Sequence, residues 1–204
     1  ELIYEGEHTS IAQLGEDIKA RTIIVNGVSK SYSMTGWRIG YTASSPQIAK
    51  IMANVQSHAT SNPCSISQAA AVAALQGTKD SIEVMKKAFI ERRNYMVDRI
   101  NSIPNLSCLK PNGAFYVMMN IKDILGKEIG GKIVSTSDEF CELALEKCKV
   151  ALVPGSGFGA EDEGYRRKVF QLAVLQLVVN RQDGQGVHEL ALILMQALDL
   201  HIED

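Results

Sequence analysis

The chain has 204 residues, 46% hydrophobic and 22% charged, with a formal net charge of −2 at pH 7. That length buries a real core as one domain or two small ones, and the composition is that of an ordinary globular protein. A near-neutral chain with no strongly basic run is not built for a nucleic-acid surface, no apolar stretch reaches membrane-spanning length without a polar interruption, and the four cysteines fit no zinc-binding spacing.

In chain order, Thr22-Ile23-Ile24-Val25-Asn26 is a β-branched run that predicts a buried strand. It opens straight into a loop, the place where α/β folds put ligands. Pro46 stands at a helix start, with helical spacing over residues 47–55. Asn62-Pro63 is a break, after which Ser65 is expected to cap an alanine-rich helix through Leu75 that Gly77 closes. Residues 80–103 predict a long amphipathic helix, with Ile82, Met85, Phe89, Met96 and Ile100 on one face and Pro104 as its stop. Residues 106–109 and 114–119 predict two strands joined by the turn Lys110-Pro111-Asn112-Gly113. Ser137 is expected to cap a helix through Lys147. Residues 150–153 predict a strand ending at Pro154-Gly155-Ser156-Gly157, and residues 187–200 a closing helix.

The composition shifts near Gly77-Thr78, which divides the chain into domains of 1–77 and 78–204. Arg92-Arg93 and Arg166-Arg167-Lys168 are the densest basic spots and read as solvated faces. Cys64, Cys108, Cys141 and Cys148 read as reduced, mostly buried thiols, and the four histidines show no ligand spacing.

The most informative run is Gly27-Val28-Ser29-Lys30-Ser31-Tyr32-Ser33-Met34-Thr35-Gly36-Trp37-Arg38-Ile39-Gly40. A lysine stands between small residues directly after the predicted strand, and an arginine follows eight residues later. The amine can condense with an aldehyde. The guanidinium can fork onto a phosphate. The small residues let backbone and hydroxyl groups approach closely. The pattern suits an aldehyde cofactor that carries a phosphate.

This run resembles the lysine signature of the fold-type-I, pyridoxal-phosphate-dependent class I/II aminotransferases. Met34-Thr35-Gly36-Trp37-Arg38-Ile39-Gly40-Tyr41 is especially similar to the bacterial and archaeal aspartate aminotransferases. Lys110-Pro111-Asn112-Gly113-Ala114-Phe115-Tyr116, Val153-Pro154-Gly155-Ser156-Gly157-Phe158-Gly159 and Gly164-Tyr165-Arg166-Arg167 resemble further family segments, in the family's order, over roughly residues 1 to 167.

The resemblance implies an α/β chain: the C-terminal part of the PLP-dependent transferase fold, comprising the end of the large cofactor domain and the small α+β C-terminal domain. By resemblance, Lys30 would hold pyridoxal 5′-phosphate covalently and then move the proton between the substrate Cα and the cofactor's C4′. Arg38 would bind the cofactor phosphate with Ser29 as a hydroxyl helper, and Arg167 would clamp the substrate α-carboxylate. Phe115 and Tyr116 would line the substrate side. Ser61 and Asn62 would lie in a loop that approaches the partner subunit's cofactor in a homodimer.

The implied activity is amino-group transfer between an amino acid, aspartate favoured, and a 2-oxo acid such as 2-oxoglutarate. It would take place in the cytoplasm, with no nucleic-acid or membrane partner. The same lysine chemistry also serves β-elimination and decarboxylation, since the pocket chooses the bond. A non-catalytic domain of this fold is the third reading.

Two departures from the family follow. The chain is about half the family's length. The other half would supply a glycine-rich phosphate loop, an aromatic stacked on the pyridine, an asparagine, and the aspartate that pairs with the pyridine nitrogen. These 204 residues alone are therefore not expected to transaminate at a useful rate. Lys168-Val169-Phe170-Gln171-Leu172-Ala173 also departs from the family's usual Leu/Ile-Ser-Tyr-Ala continuation.

Overall fold

The computed structural model describes residues 1–148, 150–158 and 171–175, and the chain divides into two units, Glu1–Lys87 and Ala88–Asp204. The composition change at residues 77–78 lies at the turn before the long helix, whereas the division falls inside that helix, which runs on through both spans.

In the first unit, a short helix α1 (Glu16–Ala20) precedes two strands, β1 (Ile24–Gly27) and β2 (Gly40–Ala43). They pair antiparallel, Ile24 opposite Ala43 and Gly27 opposite Gly40. The strand expected to be buried is instead open, with Val25 78% and Ile23 46% exposed. The β-branched run supplies the strand propensity, but the ribbon has only two strands, and no layer among the described residues covers this face.

Helix α2 (Pro46–Ala59) begins at its proline, whose fixed φ suits a first turn. Helix α3 (Ser65–Gln76) starts at Ser65 rather than being capped by it; Cys64 holds the cap position. Gly77 does end this helix. Its N–H donates to Ala73 O at 2.9 Å, and a Cβ there would stand 2.7 Å from the same oxygen. The unit's core is small: Val28, Met34 and Ala71, flanked by Tyr32, Ile39, Ala70 and Ala74.

Helix α4 (Asp80–Asn101) ends before Pro104, as the sequence requires. The second unit then runs through β3 (Ser107–Cys108), β4 (Tyr116–Asn120), β5 (Glu128–Ile129), β6 (Lys132–Ile133), α5 (Ser137–Cys148), β7 (Val153–Pro154) and β8 (Gln171–Leu175). Strands 3, 4, 8 and 7 lie side by side in that order, each neighbour antiparallel. Strands β3 and β7 are shorter than the runs at 106–109 and 150–153 suggest. The end of the run that departs from the family's usual continuation, residues 171–173, belongs to β8, inside the sheet.

Val117 and Met119 of β4 point into the core, and Tyr116, Met118 and Asn120 do not, which is the two-residue period of a half-buried strand. They pack with Val97 and Ile100 of α4 and Phe140 and Leu143 of α5. Helix α5 is capped by Thr136, not Ser137. The Glu139 N–H donates to Thr136 Oγ1 and the Thr136 N–H to Glu139 Oε2, both at 3.2 Å, a reciprocal pair that satisfies two end donors. The predicted helix at 187–200 lies outside the described residues. No described helix is long and apolar enough to cross a membrane.

Candidate cofactor site

The lysine run becomes the loop between β1 and β2, and its two glycines form the neck. Gly27 and Gly40 are register partners. A Cβ on Gly40 would stand 3.0 Å from Asn26 O, and one on Gly27 would stand 3.4 Å from Ile39 O. The backbones therefore close to a separation that side chains oppose.

Inside the neck the chain winds tightly. The Tyr32 N–H donates to Val28 O at 3.1 Å, Met34 N–H to Ser29 O at 2.9 Å, and Ser33 N–H to Lys30 O at 3.2 Å. Val28 and Met34 are buried against Ala71 of α3. Lys30 thus stands exposed on a turn with both ends anchored in the small core, and Ser29 is half-buried beside it. Arg38 is exposed at the far end of the same loop. Its backbone is left-handed, φ 51° and ψ 47°, and its Nη1 donates to Thr35 O at 3.1 Å.

Left-handed backbone at a non-glycine residue is uncommon and costs about 1 kcal/mol or more, so it persists only where surroundings impose it. Among the described residues it occurs at Ser33, Arg38, Ser61, Asn105 and Ala114. Ser33 and Arg38 belong to the lysine loop, Ser61 to the loop before Asn62, and Ala114 to the segment carrying Phe115. Asn105 is a turn residue of a type that tolerates this conformation. Local strain is therefore concentrated in the segments singled out from the sequence.

The donor set fits a phosphate-bearing aldehyde: one amine, one hydroxyl and one guanidinium on a single loop of fixed backbone. In the second unit Phe115 is half-buried, its ring centroid 6.1 Å from Phe89 and 4.6 Å from Tyr116. Ser29, Lys30 and Arg38 are thus brought together on one loop of the first unit, Phe115 belongs to the second, and Arg167 lies outside the described residues. No group of His, Cys, Asp and Glu able to hold a metal occurs among the described residues.

Two readings of the sequence need correction. Cys64 is exposed, not buried, and backbone N–H groups of Ser67 and Ile66 at the start of α3 draw its thiol below the ordinary value. Cys108 and Cys141 are half-buried, and burial, helped by Asp138 and Glu142, pushes Cys141 up to about 11. Arg93, expected on a solvated face, is buried at 7% exposure. The signal was there: Arg93 falls between Phe89 and Val97 at four-residue steps, on the inward face of the helix.

Residues 2–171 match the family described as Aminotransferase class I and II. The aspartate aminotransferase of Geobacillus stearothermophilus is 48% identical over 181 residues, covering 88% of this chain and 45% of that protein. The crystal structure of the aspartate aminotransferase from Rhizobium meliloti superposes with a TM-score of 0.84 at 39% identity, over 98% of this chain and 47% of that one. That of the aromatic aminotransferase from Pyrococcus horikoshii OT3 gives 0.80 at 32% identity, over 97% and 48%. The chain therefore spans about half the length of the relatives it matches.

Proposed function

From a chain that belongs to the class I and II aminotransferases, we propose that the protein containing it transfers an amino group between an aspartate-like amino acid and a 2-oxo acid such as 2-oxoglutarate, with pyridoxal 5′-phosphate held by Lys30, Arg38 and Ser29. The observation that carries this reading is the single loop that bears Lys30 and Arg38, closed by the Gly27–Gly40 pair and anchored by Val28 and Met34. When bound, the cofactor supplies an electron sink for the pair released at the substrate Cα.

The chain's own residues do the rest. Lys30 Nζ would hold the cofactor to the protein and would serve as the base for the proton at the substrate Cα. Arg38 forks onto the phosphate, with the Ser29 hydroxyl as a further donor. Arg167 receives the substrate α-carboxylate, and Phe115 limits the substrate side of the pocket. The aspartate preference is supported by the aspartate aminotransferases among its relatives. A cytoplasmic homodimer completes the reading. Both follow from the family resemblance, in which the loop of Ser61 and Asn62 approaches the partner subunit's cofactor.

The test uses the full-length protein loaded with pyridoxal phosphate. Aspartate with 2-oxoglutarate should yield glutamate, and borohydride should fix the cofactor on Lys30 in a peptide map. Lys30→Ala should lose the visible absorbance band and lower turnover about 10²- to 10⁴-fold, the span of a lost proton-transfer group. Ammonia or carbon dioxide release without a 2-oxo acid requirement would instead assign the loop to elimination or decarboxylation. An unmodified Lys30 would remove the reading altogether.

A further inference from the structure

The basic pair on α4 splits into two environments. Arg92 is exposed, its guanidinium carbon 5.7 Å from the centre of the Phe89 ring. Arg93 is buried, and burying a guanidinium is costly unless its donors are met. Its Nη1 donates to Pro111 O at 3.0 Å, while Nε and Nη2 donate to Asn94 Oδ1 at 3.2 and 3.0 Å. One donor of this buried group thus reaches a main-chain oxygen eighteen residues away.

The segment it grips has reason to need holding. Shortly after Pro111 the chain enters a left-handed turn: Ala114 has a φ of 61° without being glycine. Phe115 follows and rests against Phe89 and Tyr116. Phe89 and Arg93 stand one turn apart on α4 and share a face. One face of one helix therefore holds the segment at both ends, at Pro111 by hydrogen bond and at Phe115 by ring contact.

We propose that Arg93 is a positioning residue for the substrate side of the site: it fixes residues 111–115 and, through them, the Phe115 ring. The substrate role rests on the reading above, in which Phe115 limits the pocket. Asn94 belongs to the same device, since its carbonyl oxygen takes two of the guanidinium donors and sets the fork's orientation toward Pro111.

The test compares the complete, cofactor-loaded protein with its Arg93→Met and Arg93→Lys variants. Loss of a charge-assisted hydrogen bond should raise KM for the amino acid about ten- to hundredfold in Arg93→Met, with kcat changed by less than about threefold. The cofactor's absorbance band should not move. Arg93→Lys should recover part of the loss, because an ammonium can serve Pro111 O but lacks the planar fork. Amide exchange at residues 112–115 should quicken by a similar factor in Arg93→Met, while Val117 and Met119 stay protected.

An unchanged KM with unchanged exchange overturns the proposal. So does a general loss in which cofactor binding and the β4 amides fail together with KM, because that marks a residue needed only for the fold. A wild-type protein without amino transfer removes the reading on which the substrate role rests. The exchange ratio then decides alone whether Arg93 fixes the segment.

Discussion

The second unit gathers twelve buried apolar residues into one cluster, from Val97 to Leu143, while the first gathers three, Val28, Met34 and Ala71, among the described residues. The first unit also leaves Ile51, Val55, Ile66 and Val72 more than half exposed. Yet the first unit carries the lysine loop. Its geometry is imposed locally, by a glycine neck, a set of turn hydrogen bonds and two left-handed residues, with only a small core beneath. The second unit is held by packing across long sequence distances. The contrast is between a site made by backbone and a scaffold made by side chains.

The largest expected effect follows from that contrast. Phe140 is 3% exposed within the larger cluster, so Phe140→Ala should cost about 3–5 kcal/mol. Met34 is 9% exposed in the smaller one, where fewer neighbours are lost, so Met34→Ala should fall at or below about 2 kcal/mol. Chemical denaturation of the 204-residue chain reads both. Equal losses would erase the distinction between the units.

A smaller effect probes the neck. In Gly40→Ala the new methyl would sit 3.0 Å from Asn26 O, a backbone atom that yields only if the ribbon shifts. The expected cost is about 1–3 kcal/mol. Gly36, in the same loop, has open space where its Cβ would be, so Gly36→Ala should stay within about 0.5 kcal/mol. The pair separates close backbone approach from glycine content as such. A silent Gly40→Ala would mean that the neck does not constrain the loop.

This contrast also explains how much the sequence disclosed. The lysine loop was legible because its determinants are neighbours in the chain: a strand run, small residues, two glycines and an arginine at fixed spacing. Helices α2 and α4 are legible from periodicity and from Pro46 and Pro104, and α5 from a cap signal one residue away from the true cap. What was missed depends on partners far away in sequence. Val25 looked buried because its own run is apolar, but burial is a property of the layers around a strand. Arg93 looked solvated because its charge was read without the Pro111 carbonyl that receives it. Ser137 carries the cap signal in sequence, but Thr136, one residue earlier, has the Glu139 partner that completes the pair.

The smallest expected effect sets one thiol from each unit against the other. At Cys64, backbone N–H groups at the start of α3 favour the thiolate, so its titration is displaced downward. At Cys141, burial strips solvent from the thiolate and Asp138 and Glu142 repel it, moving the titration up to about 11. At about pH 8 the reactive thiolate should therefore be more populated at Cys64, which is also the exposed thiol. Mass-resolved alkylation of the native chain should label Cys64 at least about tenfold faster than Cys141, a ratio that corresponds to one pKa unit. Raising the pH from about 9 toward about 11 should narrow the gap, because Cys64 titrates below the ordinary thiol value while Cys141, held up to about 11, is still gaining thiolate. Comparable rates at about pH 8 would show that α5 opens often enough to expose Cys141, and that the second unit is less tightly held than its core implies.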